Sequence, residues 1–405
     1  MEGRVAGPRA APQALHDDRR LRRAVRAIVV GSGISGASAF FALARSGASV
    51  VLVDDGAPGQ ATGASAGIVE PWSSTASGTY YELYTAGAAY YPELLSQLGA
   101  AGIDAAATGY RRTGGLIVNR DPSLLDAEQA RLEERRSEYG VAMAAMGRVD
   151  RIGGERARSL FPPLADGLDA LLVEGGAHVD GRRLRDALVS GGERCGGELV
   201  RGCAEVLGDT AVAVEGKRIE ADVLVIASGA WAPRTLGGLG VPVPVQPQRG
   251  QITHLSLDGV DTSGWPTVHP MRHHYLVAFD GGRLAVGATR EDGTGFDARV
   301  TASGQLQVLE DALSIAPGLA NATLIETRVG LRPVADSGVP IVGEVAGRPG
   351  LFLATGYGAG GLTMAPLLGD LLARRIAGER VELLDATDPA LAIGPTGPEG
   401  TGPAR

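Results

Sequence analysis

The stretch AIVVGSGISGASAFFALARSGASVVLVDD, residues 27–55, reads as a strand, a glycine turn, a helix and a second strand that ends in two acids. Its first four residues, Ala27 to Val30, form an apolar run typical of a strand buried on both faces. A helix is predicted to begin near Ile34, because apolar residues then recur at helical spacing. Ser49 to Val53 is the second predicted strand. This order of elements predicts an α/β fold.

The predicted turn contains Gly31, Gly33 and Gly36 in the spacing G-x-G-x-x-G. In such a turn the first glycine permits the tight bend, the second lets the backbone approach a pyrophosphate, and the third lets the helix pack close to the strand. The helix dipole and the amides of Ile34 and Ser35 favour a phosphate. The spacing alone is weak in a chain with 61 glycines, and a structural glycine turn is the alternative. The complete strand–turn–helix–strand context predicts a dinucleotide site.

Two acids end the second predicted strand. Asp54 closes it, where a carboxylate would accept hydrogen bonds from ribose hydroxyls, and Asp55 is the rival for that role. An acid at this point disfavours a 2′-phosphate and therefore NADP. The stretch by itself does not separate FAD from NAD.

Composition narrows the class of protein. The 405 residues could hold two or three domains, and a hydrophobic content of 44% is enough for a large core. A formal net charge of −8 disfavours nucleic acid or an anionic membrane as a partner. The two cysteines, Cys195 and Cys203, show neither metal spacing nor a disulfide framework, which fits a cytoplasmic protein. No apolar run reaches the roughly 18 residues of a membrane span.

Later segments extend the dinucleotide sheet. The stretch ADVLVIASGAWAPRTL, residues 221–236, is predicted as a buried strand and glycine turn that meets the cofactor at Ser228 and Gly229. QRGQITHL, HHYLVAF and RLAVGAT are predicted as successive antiparallel strands. LFLATG is predicted as a last buried strand, followed by a helix over Leu362 to Ile376. The nucleotide domain is therefore interrupted by a β domain, which favours a flavoprotein over an NAD dehydrogenase.

Four segments in order resemble one family, the FAD-dependent D-amino acid oxidase superfamily, which includes glycine oxidase, sarcosine oxidase and D-amino acid dehydrogenases. The segments are GASAGIVEPW, QPQRGQ, VGLRPVADSGVPIVG and GYGAGGLT. The resemblance covers residues 24–379. It implies a Rossmann-like FAD-binding domain with an interleaved, mainly antiparallel β substrate domain.

Composition predicts a disordered, arginine-rich extension over 1–23, with a start codon called too early as the alternative, and a loose tail over 381–405. Between them the resemblance implies a discontinuous FAD-binding domain, 24–107, 152–240 and 325–380, and a substrate domain, 108–151 and 241–324.

The resemblance implies a substrate site. Arg332 matches the arginine that clamps the substrate carboxylate, a task suited to its planar fork of donors. Such a clamp would fix Cα over flavin N5, and the alternative is an arginine in a structural ion pair. Tyr275 matches a tyrosine that also bonds the carboxylate in the glycine oxidase branch, with simple packing as its alternative. His273 and His274 alternate along a predicted strand, so at most one is expected to face the pocket.

Further positions are implied as FAD contacts. The loop GYGAGGLT, residues 356–363, is expected near N1 and the C2 carbonyl of the flavin, where its backbone amides stabilise negative charge. A second loop is expected along the isoalloxazine, and Val206 is expected to offer its backbone to the adenine. The residues of the two loops are Gly358, Ala359, Gly360, Gly361, Leu362 and Thr363, and Ala64, Ser65, Ala66 and Gly67.

Two departures refine the cofactor chemistry. No cysteine lies near Arg332 in the sequence and no histidine lies in ATGASAG, so the FAD is expected to be non-covalent. Lys217, expected to be remote, does not supply the lysine by which sarcosine oxidases activate oxygen. This slightly favours a dehydrogenase, and the electron acceptor is oxygen or a quinone or dye.

The sequence thus predicts oxidative deamination of a small amino acid, a D-amino acid or glycine, by hydride transfer from Cα to flavin N5. The first alternative is oxidation of a secondary amine such as proline or sarcosine. The others are an NAD enzyme without flavin, which the interrupted domain disfavours, and a flavin-binding protein without turnover. The expected partner is a small-molecule substrate.

Overall fold

The computed structural model describes residues 25–393. The predicted extension, 1–23, and the last twelve residues of the predicted tail lie outside the described residues. Within 25–393 the helices are, in chain order, α1 (Ile34–Arg45), α2 (Gly78–Ala100), α3 (Pro122–Tyr139), α4 (Gly154–Leu160), α5 (Gly181–Arg194), α6 (Ala232–Thr235), α7 (Ala302–Ile315), α8 (Gly361–Ile376) and α9 (Pro389–Ile393).

The strands of the same part are, in chain order, β1 (Arg26–Val30), β2 (Ser49–Asp54), β3 (Ile68–Val69), β4 (Gly115–Asn119), β5 (Val149–Ile152), β6 (Asp169–Val173), β7 (Ala177–His178), β8 (Glu198–Arg201), β9 (Ala204–Gly208), β10 (Ala211–Val214), β11 (Lys217–Glu220), β12 (Val223–Ile226), β13 (Val245–Ser256), β14 (Thr267–His269), β15 (Tyr275–Ala278), β16 (Arg283–Gly287), β17 (Thr323–Ala335), β18 (Ile341–Glu344) and β19 (Leu351–Thr355).

The first domain contains a six-stranded sheet, in the order β18-β19-β12-β1-β2-β8. Its strands run parallel except β18, and Ala27 of β1 lies opposite Val50 and Val223. Ala27 and Val29 pack toward α1, α5 and α8, whereas Ile28 and Val30 pack toward β10 of a three-stranded sheet, β11-β10-β9. Both faces of β1 are therefore buried, as its unbroken apolar run predicts. The predicted Rossmann-like domain is confirmed.

An eight-stranded sheet forms the second domain, in the order β17-β13-β16-β15-β14-β4-β6-β5. Its neighbours are antiparallel except β14 with β4, and α4 and α7 cover one face of it with an apolar core. The long pair β13 and β17 runs along the first domain. Single bridges join Gln60 to Leu331 and Val334 to Tyr357, so β17 is pinned beside the loops that follow β2 and β19.

Strand pairing moves some predicted domain bounds. β6 and the greater part of β17 fall within segments predicted for the FAD-binding domain, yet both pair within the eight-stranded sheet. Their apolar composition does not reveal which sheet they join, because strands in either sheet are buried. Of the predicted tail, the structure describes residues 381–393, where Val381 and Leu384 are buried and α9 packs near β18. Within residues 25–393, no helix is long and apolar enough to cross a membrane.

Candidate active site

A cavity of about 1130 Å³ lies between the two domains. One end is formed by the carboxyl ends of β1, β2, β12 and β19, and the other by β13, β15, β16 and β17. Ligands of open α/β sheets bind at the carboxyl ends of the strands. The cavity therefore continues beyond a nucleotide site into a part lined by the eight-stranded sheet, which we call the second chamber.

The glycine turn after β1 is shaped by close backbone approaches. Gly31 has a φ of 100°, and a Cβ there would lie 2.6 Å from the carbonyl oxygen of Ala227. A Cβ on Gly36 would lie 1.7 Å from the carbonyl oxygen of Gly31. Gly33 is different, because a Cβ there would meet only the Thr62 hydroxyl, at 3.5 Å. Gly31 and Gly36 bring the start of α1 to the cavity wall, and Gly33 leaves space at its mouth.

The first turn of α1 carries two of the predicted contacts. Ile34 and Ser35 line the cavity, whereas Gly36 lies behind them. The amide of Ile34 donates to the Thr62 hydroxyl at 2.8 Å, and the Ser35 hydroxyl donates to the carbonyl of Ala354 at 2.8 Å. These bonds fix the helix start, whose dipole then points at the cavity and favours a pyrophosphate.

Asp54 and Asp55 both line the cavity but in different environments. The buried Asp54 carboxylate accepts from the amide of Ser32 at 2.5 Å and from that of Gly56 at 2.6 Å. Asp55 is exposed and accepts from the amide of Ala57 at 2.9 Å. Asp54 is therefore held in one orientation by two backbone donors, as a ribose-binding carboxylate requires.

Most of the remaining predicted FAD contacts line the cavity, and two of them do not. On the cavity wall lie Ala64, Ser65, Ala66, Gly67, Val206, Ser228, Gly229, Gly358, Ala359, Gly361 and Leu362. Gly360 is instead packed against Tyr80, and the Thr363 hydroxyl donates to the carbonyl of Ile68 at 3.1 Å. Cys203 also lines the wall, beside Gly202, whose amide donates to the carbonyl of Asp54 at 2.9 Å. That places this thiol near the carboxyl end of β2.

Arg332 lies on β17 in the second chamber. Its Nη1 donates to the carbonyl oxygen of Thr289 at 3.1 Å and lies 3.4 Å from Oε1 of Gln248. Its guanidinium packs on the backbone of Gly250, where a Cβ would lie 2.4 Å from Nη2. Burial lowers the pKa of Arg332 below its ordinary value. Within residues 25–393 no salt bridge joins Arg332 to an acid, which argues against the structural ion pair.

Tyr275 begins β15 and lies on the same wall as Arg332. Burial raises the pKa of the Tyr275 hydroxyl, and the neighbouring Arg332 opposes that rise. The hydroxyl therefore stays protonated and can donate to an anion beside the guanidinium. The expectation for the two histidines is wrong, because both His273 and His274 line the cavity. They precede the regular strand, which begins at Tyr275, so the alternation of a strand does not apply to them.

The sequence reasoning missed several cavity residues. Among them are Glu70, Tyr84, His269 and Arg290. The Glu70 carboxylate is buried and accepts from the Thr267 hydroxyl at 2.6 Å and from Nε2 of His269 at 3.0 Å. The available signal was an acid inside the apolar stretch GASAGIVEPW. Arg290 lies three residues after the end of β16, and nothing in its local sequence marks it.

The described residues fit an FAD molecule. The cavity is lined by a glycine turn that side chains would block and by a fixed carboxylate at the end of β2. Two loops of small residues and an arginine without an acidic partner complete the lining.

Comparisons with known proteins agree with this fit. A family model described as FAD dependent oxidoreductase matches residues 26–375. The uncharacterized oxidoreductase YurR of Bacillus subtilis (strain 168) is 42% identical over 373 residues, which are 90% of this chain and 99% of that protein. The crystal structure of iminodiacetate oxidase from Chelativorans sp. BNC1 is 44% identical, with a TM-score of 0.85, and the match covers 92% of this chain and 100% of that one. The crystal structure of glycine oxidase from Geobacillus kaustophilus is 27% identical, with a TM-score of 0.78, and the match covers 90% of this chain and 98% of that one.

These matches confirm the resemblance drawn from the sequence. With FAD as its cofactor, the chain belongs to the FAD-dependent oxidoreductase family that includes the D-amino acid oxidases and glycine oxidases.

Proposed function

We propose that the protein oxidises the bond between Cα and nitrogen in a small amino acid whose carboxylate is held by Arg332. The observation that carries this proposal is an unpaired, partly buried guanidinium in the chamber next to the FAD-binding loops. An uncompensated charge in such a place is costly, and a substrate carboxylate would offset that cost. When bound, FAD supplies the two-electron acceptor for the hydride that leaves Cα.

Arg332 acts first as an orienting group. Its bond to the carbonyl of Thr289 and its packing on Gly250 fix the plane of the guanidinium before substrate arrives. A carboxylate that pairs with a fixed fork is held in one orientation, and Tyr275 can add a third donor from the side. Correct positioning of the reacting carbon is a large part of catalysis in such a transfer.

The positive charge of the chamber also prepares the amine. Arg332 and Arg290 both line it, and a second cation beside them is disfavoured. The substrate nitrogen therefore loses its proton more readily inside the chamber than in water. A free amine can release a hydride from the adjacent carbon. The reaction therefore needs no dedicated base on the protein.

Oxidation of a secondary amine is the second candidate. The relative that favours it is iminodiacetate oxidase, at 44% identity over nearly the whole chain, whereas glycine oxidase is 27% identical. Both names describe substrates that contain a carboxymethyl group on nitrogen. Glycine and N-substituted glycines are therefore the first substrates to test, before D-amino acids with larger side chains.

Anaerobic reduction of the flavin tests the reaction class without a guess about the acceptor. Purified protein is mixed with glycine, sarcosine, iminodiacetate, the two enantiomers of alanine and those of proline, and the visible flavin absorbance is followed. We expect bleaching by the carboxymethyl amines, and air admitted afterwards separates oxidase from dehydrogenase by the rate of reoxidation. If none of these compounds bleaches a protein with full FAD content, the proposed function is wrong.

A further inference from the structure

A second arginine stands free in the substrate chamber. Arg290 lies three residues after the end of β16, lines the cavity and is exposed. Within residues 25–393 it makes no hydrogen bond and no salt bridge. The acid next to it in the chain, Glu291, is engaged elsewhere: its Oε2 pairs with Arg249 at 2.7 Å and its Oε1 accepts from Gln251 at 2.7 Å.

Arg290 is tied by the backbone to the first arginine. The carbonyl oxygen that accepts from Nη1 of Arg332 belongs to Thr289, the residue directly before Arg290. The charge of Arg290 also lowers the pKa of Arg332 and opposes the rise in the pKa of Tyr84 and Tyr275. Two guanidinium groups whose charges act on each other therefore line one chamber.

The phosphates of FAD do not explain this second charge. The glycine turn and the start of α1, where a pyrophosphate fits, lie at the carboxyl end of β1. Arg290 instead lies after β16, and its charge acts on Tyr80, Tyr84, Tyr275 and Arg332. The anion that it would bind therefore belongs to the substrate.

A substrate with one carboxylate satisfies only one of the two arginines. We propose that Arg290 binds a second carboxylate, so that the preferred substrate is a secondary amine with a carboxylate on each arm. This proposal rests on the proposed function, because Arg332 holds the first carboxylate. Two carboxylates joined through one nitrogen match two cationic groups that line one chamber.

The reaction balances for such a substrate. One methylene carbon loses a hydride to FAD, and nitrogen loses its proton, which leaves a carbon–nitrogen double bond. Water adds to that bond and releases a 2-oxo acid and an amino acid. With iminodiacetate, the smallest such amine, the products are glyoxylate and glycine.

Two measurements on the FAD-loaded protein test the assignment. The first is the ratio of kcat/KM for iminodiacetate to kcat/KM for sarcosine, in the unaltered protein and in Arg290→Gln. The second needs no turnover: oxydiacetate and methoxyacetate are titrated as unreactive analogues, and their Kd is read from the flavin spectrum. We expect Arg290→Gln to lower the ratio and the preference for oxydiacetate by about 10- to 100-fold, as for the loss of a charged hydrogen-bonding partner. Arg290→Lys should restore part of both.

Arg272→Gln is the matched comparison, because Arg272 also lines the cavity and also carries one positive charge, but on the loop before β15. An equal loss in Arg272→Gln would show a general charge effect and overturn the proposal. So would a ratio and an analogue preference that do not respond to Arg290→Gln. If no amine reduces the flavin but oxydiacetate still depends on Arg290, the proposed function fails and the carboxylate site stands.

Discussion

The Nη1 of Arg332 lies 3.1 Å from the carbonyl oxygen of Thr289, so the segment that follows β16 holds the guanidinium from one side. No acid of the described residues forms a salt bridge with it. The combination is typical of a ligand-binding arginine, because a structural arginine of this burial would have a carboxylate partner.

Arg332→Ala should lower kcat/KM for the best amine. The activation free energy should rise by about 2–5 kcal/mol, the usual cost of removing one member of a buried charged pair. The kcat/KM of Arg332→Lys should lie between those of the unaltered protein and Arg332→Ala, because lysine keeps the charge but lacks the planar fork of donors. Rates of anaerobic flavin reduction give these values, and FAD content serves as the control because Arg332 lies away from the glycine turn. Unchanged rates in Arg332→Ala would remove the carboxylate clamp from the account.

Gly31→Ala should prevent stable FAD binding. The residue has a φ of 100°, and its new Cβ would lie 2.6 Å from the carbonyl oxygen of Ala227. Gly47→Ala is the matched control, because Gly47 has a φ of 88° with nothing within 4 Å of its Cβ. The free energy of unfolding of the control should fall by only about 1 kcal/mol, the cost of placing alanine in this backbone conformation. Thermal unfolding and FAD content should therefore separate the two variants, and similar values for both would contradict the steric argument.

Asp54→Asn should weaken FAD binding more than Asp55→Asn. Asp54 accepts from the amides of Ser32 and Gly56, and a carboxamide has only one acceptor oxygen for these two donors. One buried amide would be left unpaired, at a cost of about 1–3 kcal/mol. Asp55 is exposed and bonds only to Ala57. Equilibrium dialysis of FAD measures the difference, and a larger effect at Asp55 would assign the ribose contact to the rival acid.

Stability should fall below about pH 6.5. Burial lowers the pKa of His178 and of His254 to about 4, with nearby charges as smaller influences. The unfolded chain then binds more protons than the folded one between pH 6.5 and 4, so the free energy of unfolding decreases as pH falls through that window. Each histidine contributes up to about 3 kcal/mol of this loss.

Urea unfolding at several pH values measures the slope, and His178→Gln should reduce it. The charged groups that face His178 are Asp280, Arg111, Arg283 and Asp180, and those that face His254 are Arg328, Arg283, Glu326 and Asp180. Because none of them is altered in His178→Gln, an unchanged slope would mean that His178 does not titrate as a buried group.

The sequence predicted the nucleotide half of the fold well, because the glycine turn, the apolar strands and the helix that begins near Ile34 are local patterns. It also singled out Arg332 and Tyr275, which the structure places on one wall. It did not show which sheet β6 and β17 join, because long-range pairing decides that. Arg290 escaped notice for the same reason: only the fold shows that its neighbouring acid is engaged with Arg249.

The most direct test of the central claim is to identify which carbon of sarcosine is oxidised in a single anaerobic turnover. Arg332 is held to fix the carboxylate so that the carbon bearing it loses the hydride. The account predicts glyoxylate and methylamine, each equivalent to the flavin reduced. Formaldehyde and glycine would show that the methyl carbon reacts instead, and this result would contradict the account.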